Sequence, residues 1–294
     1  MHPEISHQEK RTTQKIIEIL KDLNIDTRPL EDMTGAIGLI EGKSKGLTIA
    51  LRADIDALPI QELGDVEYAS QNTGVMHACG HDGHMAMLLL AARILCEHKK
   101  GIKGYVKFLF QPNEENMHAG ILVEKGVLEN PTVDAAFGIH LMTPLETGKI
   151  GVASGAVMAG MHTFKVVIKG KGGHGASPHL CVDPIVAGAH LVTQLQTFAS
   201  RNLPPLESAV LTIGEFHAGT KENIIPEEAR LLGTLRTLAP EVRELAVRRV
   251  EEMTRGLDLA FGVTTVFENI EGYPSQANDT GLVDFLKSCT EKIL

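Results

Sequence analysis

The sequence has few cysteines and no long uncharged stretch, and both absences exclude classes of protein. Its four cysteines, at positions 79, 96, 181 and 289, are too few and too scattered for a disulfide framework in a chain of this length. No uncharged stretch reaches the roughly 18 residues that a spanning helix needs, and the N-terminus lacks a basic segment followed by an apolar run. We therefore expect a cytoplasmic protein without a membrane partner.

Concentrated positive charge is also absent. The sequence contains no run of Lys or Arg, and its formal net charge at pH 7 is −9. Because binding along nucleic-acid phosphates depends on clustered positive charge, nucleic acid is not an expected partner. The glycine-rich stretch at 170–179 lacks the GxxxxGK[ST] pattern of phosphate-binding loops, and the start of the earlier predicted helix carries no GxGxxG. With 43% hydrophobic and 22% charged residues, the composition remains that of an ordinary folded protein and is compatible with an enzyme.

The sequence does contain short apolar runs that alternate with amphipathic segments, which is typical of α/β proteins. Helical spacing of apolar residues predicts a helix at 12–23, and the almost wholly apolar residues 85–96 predict a helix packed against a sheet. Apolar runs at 47–53, 105–110 and 135–141 predict three buried strands. These elements indicate a sheet covered by helices.

The pattern changes near residue 160. An alternating strand at 163–169 is followed by Asp183-Pro184, which predicts the start of a helix that reaches about residue 201. Further segments predict strands at 208–216, 229–237 and 263–269 and a helix at 240–258. The order β-α-β-β-α-β is that of the ferredoxin-like unit. We therefore predict a module at 158–269 inserted into a domain formed by 1–157 and 270–294, where a last helix begins at 279.

Polar side chains with catalytic potential follow the first three predicted strands. Asp54 and Asp56 follow the first strand, Glu114 and Glu115 follow the second, and His140 lies near the end of the third. Ligands of open α/β sheets bind outside the carboxyl ends of the strands, so we expect these side chains to share one crevice. Individually, each has a structural alternative: turn-capping aspartates, a solvated glutamate pair and a core histidine.

The stretch MHACGHDGHMA at 76–86 contains Cys79 and His81, whose thiolate and imidazole are good ligands for zinc and neighbouring divalent ions. A reactive thiol or the polar start of a buried helix are the alternatives. Of the adjacent Glu114 and Glu115, one carboxylate could bind metal while the other moves a proton, as metal-assisted hydrolysis requires. Outside the ligands, Asp56 is suited to orient an imidazole, and Asp82 to cap the helix or orient the loop.

Three residues of the second module are candidates for binding. His174 lies in the glycine-rich stretch GKGGHGASPH, where small neighbours allow close approach of a ligand or a partner chain. Asn223 and Arg236 could hydrogen-bond a substrate carboxylate, with arginine suited to a bidentate contact. A turn asparagine and an exposed strand arginine are the alternatives.

Six motifs occur in order over nearly the whole chain: ALRADIDALPI (50–60), MHACGHDGH (76–84), FLFQPNEE (108–115), GIHL (138–141), GKGGHGASPH (170–179) and ENIIP (222–226). Together they resemble the N-acyl-amino-acid amidohydrolases, the hippurate hydrolase and auxin-conjugate hydrolase branch of the aminoacylase/carboxypeptidase metallopeptidase family. The resemblance implies an α/β catalytic domain with a mixed sheet flanked by helices, interrupted by a ferredoxin-like α+β dimerisation or lid domain. It also implies hydrolysis of N-acyl or N-aroyl amino acids to a carboxylic acid and an amino acid.

The resemblance further implies a role for each candidate residue. The implied ligands of two divalent ions (Zn, Mn, Ni or Co) are Cys79, His81, Glu115 and His140. Glu114 is the implied general base, and His174 resembles a lid-domain histidine that reaches the active site of a partner subunit. Asn223 and Arg236 match positions associated with substrate binding. A homodimer through the inserted domain and a small N-acyl amino acid substrate follow from the same resemblance.

Members of this family have a further helical segment before the HPE motif at 2–4 and a last metal-binding histidine near their C-terminus, and this sequence shows neither. We therefore expect a chain truncated at both ends. Three alternatives stay open. They are an inactive or singly metallated relative that dimerises, a dipeptidase or aminopeptidase of the same family, and a cysteine hydrolase or redox protein that uses Cys79 with His81 as its base.

Overall fold

The computed structural model describes residues 1–116 and 119–292. Its helices are α1 (Lys10–Asp22), α2 (His81–Glu97), α3 (Ala119–Glu124), α4 (Pro184–Leu195), α5 (Pro240–Phe261) and α6 (Thr280–Thr290). Its strands are β1 (Asp26–Pro29), β2 (Ala36–Glu41), β3 (Ser44–Asp54), β4 (Lys103–Gln111), β5 (Ala135–Gly138), β6 (Gly155–Met158), β7 (Gly160–Lys169), β8 (Gly173–His174), β9 (Ala209–Ala218), β10 (Ile224–Ile225), β11 (Glu228–Thr237), β12 (Thr264–Tyr273) and β13 (Gln276–Asn278). No helix of the described residues is long and apolar enough to cross a membrane.

The chain divides into two compact units, Met1–Lys149 and Ile150–Leu294. The first unit contains a mixed five-stranded sheet in the order β1-β2-β4-β3-β5, in which β3 is parallel to both β4 and β5. Helices α1 and α2 cover one face, where Leu20 and Leu88 join Phe108 and Phe110 of β4 in one core cluster. Because side chains alternate along a strand, Leu109 points to the opposite face, where α3 contributes to a smaller cluster.

The three parallel strands end at the same edge of this sheet. Asp54, the last residue of β3, is in register with Gln111, the last residue of β4. On the other side of β3, Arg52 is in register with Gly138, the last residue of β5. The loops that follow β3, β4 and β5 therefore begin side by side, as the sequence predicts. The third strand is shorter than the predicted 135–141. It ends at Gly138, and Ile139 and Leu141 lie beyond the sheet, where they are 62% and 48% exposed.

Lys107 of β4 has an unusual environment, since only 1% of this lysine is exposed. Its Nζ donates hydrogen bonds to the main-chain oxygens of Val127, Glu129 and Pro131 at 3.1, 2.7 and 2.9 Å. Burial lowers the pKa of Lys107, and the nearby charge of Arg28 lowers it further. The lysine thus holds the segment that leads into β5, the strand that precedes His140.

Replacing this lysine tests its structural contribution. Lys107→Met is expected to lower the free energy of unfolding by about 2–4 kcal/mol, because three buried carbonyl groups lose a charged donor. Lys103→Met, an exposed position on the same strand, is the matched control and should change stability by less than about 0.5 kcal/mol. Urea unfolding followed by circular dichroism measures both variants. Equal stability of the two would show that the three contacts contribute nothing net.

The second unit contains a four-stranded antiparallel sheet in the order β12-β7-β11-β9. Helices α4 and α5 pack on one face, where Leu191 and Val250 join Phe164, Val166 and Ile168 of β7. Leaving aside the short β8 and β10, the chain order is β7-α4-β9-β11-α5-β12. This is the β-α-β-β-α-β order predicted from the sequence, and the strand order is that of a ferredoxin-like sheet.

Strands β6 and β13 and helix α6 of this unit lie outside the four-stranded sheet. Strand β6 pairs with β13 in an antiparallel fashion, so that segments before and after the four-stranded sheet lie side by side. The helix predicted from residue 279 is α6, whose first turn is capped by the Asp279 side chain accepting from the Leu282 amide. Residues 293–294 of that prediction lie outside the described part of the chain.

Candidate metal centre

His81 is the first residue of α2 and is 1% exposed. The helix starts there because Gly80 adopts the left-handed conformation, with φ +83°, at the N-cap. Gly83 in the first turn lets the loop after β5 approach, since a Cβ at this position would lie 2.6 Å from Leu141 Cδ1. The two glycines of the CGHDGH stretch therefore bring the start of α2 and the His140 loop into contact.

The hydrogen bonding of His81 leaves one ring nitrogen for a ligand. Its Nδ1 lies 2.9 Å from the main-chain oxygen of Asp56 and donates to it. Its Nε2 is buried and has no hydrogen-bond partner within the described residues. This nitrogen lies 3.5 Å from Asp54 Oδ2 and 3.8 Å from both Glu114 Oε2 and Glu115 Oε1. The imidazole lone pair thus faces three carboxylates, which is the orientation of a metal-binding histidine.

Cys79 and His140 complete the cluster. The Cys79 Sγ lies 3.8 Å from His140 Nε2, and His140 Nδ1 lies 2.7 Å from the main-chain oxygen of Leu141. Ligand atoms of Cys79, His81 and His140 all lie within 4.8 Å of one another, and so do those of His81, Glu114 and Glu115. The structure therefore places the other three implied ligands, and the implied base, around His81.

The electrostatics of this cluster favour a divalent cation. Burial raises the pKa of Glu115, and the neighbouring charges of Glu114 and Asp56 raise it further against the opposing effect of His81. Burial lowers the pKa of His81, but the Asp56 carboxylate, whose Oδ1 lies 3.3 Å from His81 Nδ1, and the charges of Asp54 and Glu114 raise it overall. Asp56 Oδ1 and Glu115 Oε1 join His81 Nε2 as buried polar atoms without a hydrogen-bond partner in the described chain. Clustered carboxylates and unsatisfied ligand atoms fit a bound metal.

The thiol of Cys79 is not activated as a nucleophile. Burial and the charges of Glu115 and Glu114 raise its pKa to about 11. Catalytic cysteines have a lowered pKa because they lie beside positive charge. A coordinating thiol, in contrast, is deprotonated by the metal itself. The surroundings of Cys79 thus favour a ligand over the cysteine hydrolase or redox alternative.

A buried pair behind the cluster positions the His140 loop. His84 Nδ1 lies 2.6 Å from Asp54 Oδ1, while His84 Nε2 accepts the Leu141 amide at 2.8 Å. Arg52 donates to the other oxygen of Asp54 at 2.8 Å. Although burial alone raises the pKa of Asp54, the His84 hydrogen bond and the Arg52 charge lower it to about 2. Both nitrogens of His84 are engaged, so this histidine supports the loop and is not free to bind metal.

The two aspartates predicted to support the site differ in their contacts. Asp56 Oδ2 accepts the Ser6 hydroxyl at 2.7 Å and the Glu115 amide at 3.0 Å, so this residue contacts both His81 and the Glu115 backbone. Asp82 is exposed, and its carboxylate accepts the neighbouring Gly83 amide at 2.9 Å. The structure therefore places Asp56 against the ligands and directs Asp82 away from them.

The candidates of the second unit lie on different elements. Strand β8 pairs with β10, which sets His174 opposite Ile224 and beside Asn223. His174 is exposed and its Nδ1 accepts the Ala176 amide at 3.0 Å. Arg236 lies on β11, in register with Met161 and Val210, and its Nη1 is buried with no hydrogen-bond partner among residues 1–116 and 119–292. His174 and Asn223 thus form one local group within this unit.

The N-terminal segment contributes contacts that the sequence did not reveal. Ser6 donates to Asp56, as described above. Glu9 reaches the loop after β4, where its Oε1 accepts the Asn113 amide at 2.9 Å. These contacts join residues 50 and 104 positions apart. In the sequence Glu9 only precedes an amphipathic helix, which is typical of an ordinary helix start, so no local signal indicated the contact.

Residues 50–294 match the family model of peptidase family M20/M25/M40. The chain is 43% identical over 274 residues to the N-acyl-L-amino acid amidohydrolase of Geobacillus stearothermophilus, covering 92% of this chain and 74% of that protein. It is 41% identical over 292 residues to the N-acetyl-L-cysteine deacetylase of Bacillus subtilis, covering 99% and 70% respectively. A solved Bacillus subtilis protein, described as a dinuclear metal-binding peptidase of the M20 family, is similar with a TM-score of 0.87 and 36% identity, covering 99% of this chain and 76% of that one. The chain belongs to peptidase family M20/M25/M40.

Proposed function

We propose that this protein is a metal-dependent amidohydrolase that cleaves the amide bond of N-acyl amino acids. The observation that carries the proposal is the cluster around His81, in which a thiol, two imidazoles and two glutamates meet within 4.8 Å in overlapping groups. Relatives that cover most of this chain are named as an N-acyl-L-amino acid amidohydrolase and an N-acetyl-L-cysteine deacetylase. The products are a carboxylic acid and a free amino acid.

The residues of the cluster divide into ligands and a proton carrier. Two divalent ions would be held by Cys79, His81, Glu115 and His140, and when bound they would acidify water and polarise the substrate carbonyl. Glu114 accepts the proton of the attacking water and transfers it to the leaving nitrogen. Its side chain is 40% exposed, whereas that of Glu115 is 19% exposed. The more exposed glutamate can reach substrate and solvent, and the more buried one is suited to permanent ligation.

Several parts of this proposal rest on the sequence. Three of these predictions concern the whole protein: the boundaries of the inserted module at 158–269, a homodimer through that module, and a cytoplasmic location. Two further predictions concern the site: substrate contacts of His174, Asn223 and Arg236, and metal ions that are Zn, Mn, Ni or Co. The antiparallel pairing of β6 with β13 supports the placement of the module between two parts of one domain.

A substrate panel tests the reaction class. The purified chain, stripped with a chelator and then supplied with Mn²⁺ or Zn²⁺, is expected to release free amino acid from N-acetyl and N-benzoyl amino acids but not from unblocked dipeptides. Amino acid release is measured by mass spectrometry, with the stripped protein as the control. Cleavage of dipeptides alone would support the dipeptidase or aminopeptidase alternative, and full activity in the stripped protein would eliminate the metal-dependent reaction.

A further inference from the structure

The carboxylate of Glu9 is buried in an unusual way. Glu9 is 0% exposed and is the N-cap residue of α1, yet its side chain does not cap that helix. The Glu4 carboxylate accepts the first-turn amides of Arg11 and Thr12 instead, at 3.1 and 2.7 Å. A buried carboxylate is unfavourable unless it is hydrogen-bonded. The side chain of Glu9 is therefore directed to partners outside its own helix.

Those partners belong to two distant loops. Glu9 Oε2 accepts the Thr34 hydroxyl at 2.6 Å, and Oε1 accepts the Asn113 amide at 2.9 Å. The loop that contains Thr34 packs closely, since a Cβ on Gly35 would lie 2.6 Å from Phe110 O and 2.7 Å from Pro112 Cδ. Glu9 thus links the start of α1 to the turn that follows β4.

Asn113 is the residue at which this turn adopts a left-handed backbone. It is 1% exposed and has φ +60°, a conformation that most residues with a side chain avoid but that asparagine can adopt. Glu114 and Glu115 follow directly, and the Glu115 amide donates to Asp56 at 3.0 Å. The direction in which both glutamates leave β4 therefore depends on the backbone at Asn113.

We propose that Glu9 is a positioning residue, which fixes the left-handed backbone of Asn113 through its amide and thereby aims Glu114 and Glu115 at His81. The roles of the two glutamates rest on the proposed function. The contacts of Glu9 with Thr34 and Asn113 do not depend on those roles. A glutamate at the start of the chain would then act on catalysis without touching the substrate.

Variants of different length and charge test this role. Glu9→Gln keeps the length and an oxygen that can accept the Asn113 amide, while its NH₂ group can donate to the Thr34 hydroxyl. Glu9→Asp keeps the charge but shortens the side chain by one methylene group. We expect Glu9→Asp to lower kcat by about 10- to 100-fold with little change in KM, since small displacements of catalytic groups have effects of this size. Glu9→Gln should stay within about threefold of wild type. Glu18→Gln, on the exposed face of α1, is the control.

A second measurement is independent of turnover. Amide hydrogen exchange of residues 113–115, recorded on the metal-free protein, is expected to accelerate in Glu9→Asp relative to wild type and to remain slow in Glu9→Gln. If Glu9→Asp lowers the melting temperature but leaves both kcat and this exchange unchanged, Glu9 has a merely structural role and the proposal is wrong. A wild-type chain that hydrolyses no N-acyl amino acid would refute the proposed function, while the exchange result would still decide the role of Glu9.

Discussion

Glu114→Gln is expected to lower the hydrolysis of N-acyl amino acids by about 10²–10⁴-fold, the range that positioned acid–base groups contribute. The amide of glutamine has the size of the carboxylate but cannot accept the proton of the attacking water. Because the Glu114 side chain is 40% exposed, the change buries no new polar group and should leave the fold intact. Elemental analysis should find the wild-type metal content in the variant. The loss would therefore be one of proton transfer.

The neighbouring glutamate provides the matched control. Glu115→Gln removes a carboxylate that is 19% exposed and lies 3.8 Å from His81 Nε2, so it is expected to lower metal content as well as turnover. Steady-state kinetics and metal analysis on the two variants separate the proton carrier from the ligand. Turnover of Glu114→Gln within twofold of wild type would remove Glu114 as the base. Equal metal loss in both variants would make both glutamates ligands.

His81→Ala should have an equally large effect through metal binding. Among the described residues, His81 belongs to all three groups of possible ligand atoms: with Cys79 and His140, with Glu114 and Glu115, and with Asp54 and His84. Loss of outer-shell partners typically costs 10–100-fold in metal affinity or activity, so loss of a shared ligand is expected to exceed about 100-fold. After desalting, the variant should retain little metal. Thermal unfolding should show little stabilisation when Mn²⁺ or Zn²⁺ is added.

His98→Ala is the control for this experiment, since His98 is exposed at the other end of α2. It should bind metal and turn over substrate like wild type. Both variants are compared by elemental analysis, isothermal titration with Mn²⁺ and unfolding scans with and without the ion. Wild-type metal affinity in His81→Ala would show that the unpartnered Nε2 is not a ligand, and the centre would then have to be sought among other side chains.

The sequence predicted several of the elements that carry strong hydrophobic patterns, although the apolar strand β2 was not among them. The runs at 47–53 and 105–110 are the cores of β3 and β4, and since parallel strands end at one edge, the meeting of Asp54, Asp56 and the glutamate pair could be expected. Strand β1 was missed because its sequence, DTRP, is mostly exposed and has no apolar alternation. Its position depends on pairing with β2, which no local pattern encodes.

The residues that meet around His81 could be predicted from the sequence, but the residues that support them could be predicted much less well. Cys79, His81 and the glutamates are chemically distinctive residue types, but the contacts of Ser6 and Glu9 span 50 and 104 positions. Asp82 was predicted to cap the helix or to orient the loop, and in the structure its carboxylate accepts the neighbouring Gly83 amide. On a helix, residues three positions apart share a face, and the residue next to the first points elsewhere. Tertiary packing, not proximity along the chain, selects the supporting residues.

Gly83 shows how the centre constrains a residue that has no functional group. A methyl group there would lie 2.6 Å from Leu141 Cδ1, and the Leu141 amide is the group that His84 accepts. A side chain at position 83 therefore requires the Leu141 side chain to move aside or to become smaller. During divergence the side-chain volumes at these two positions should covary, so the limited space at residue 83 also constrains residue 141, which lies 58 positions away in the sequence.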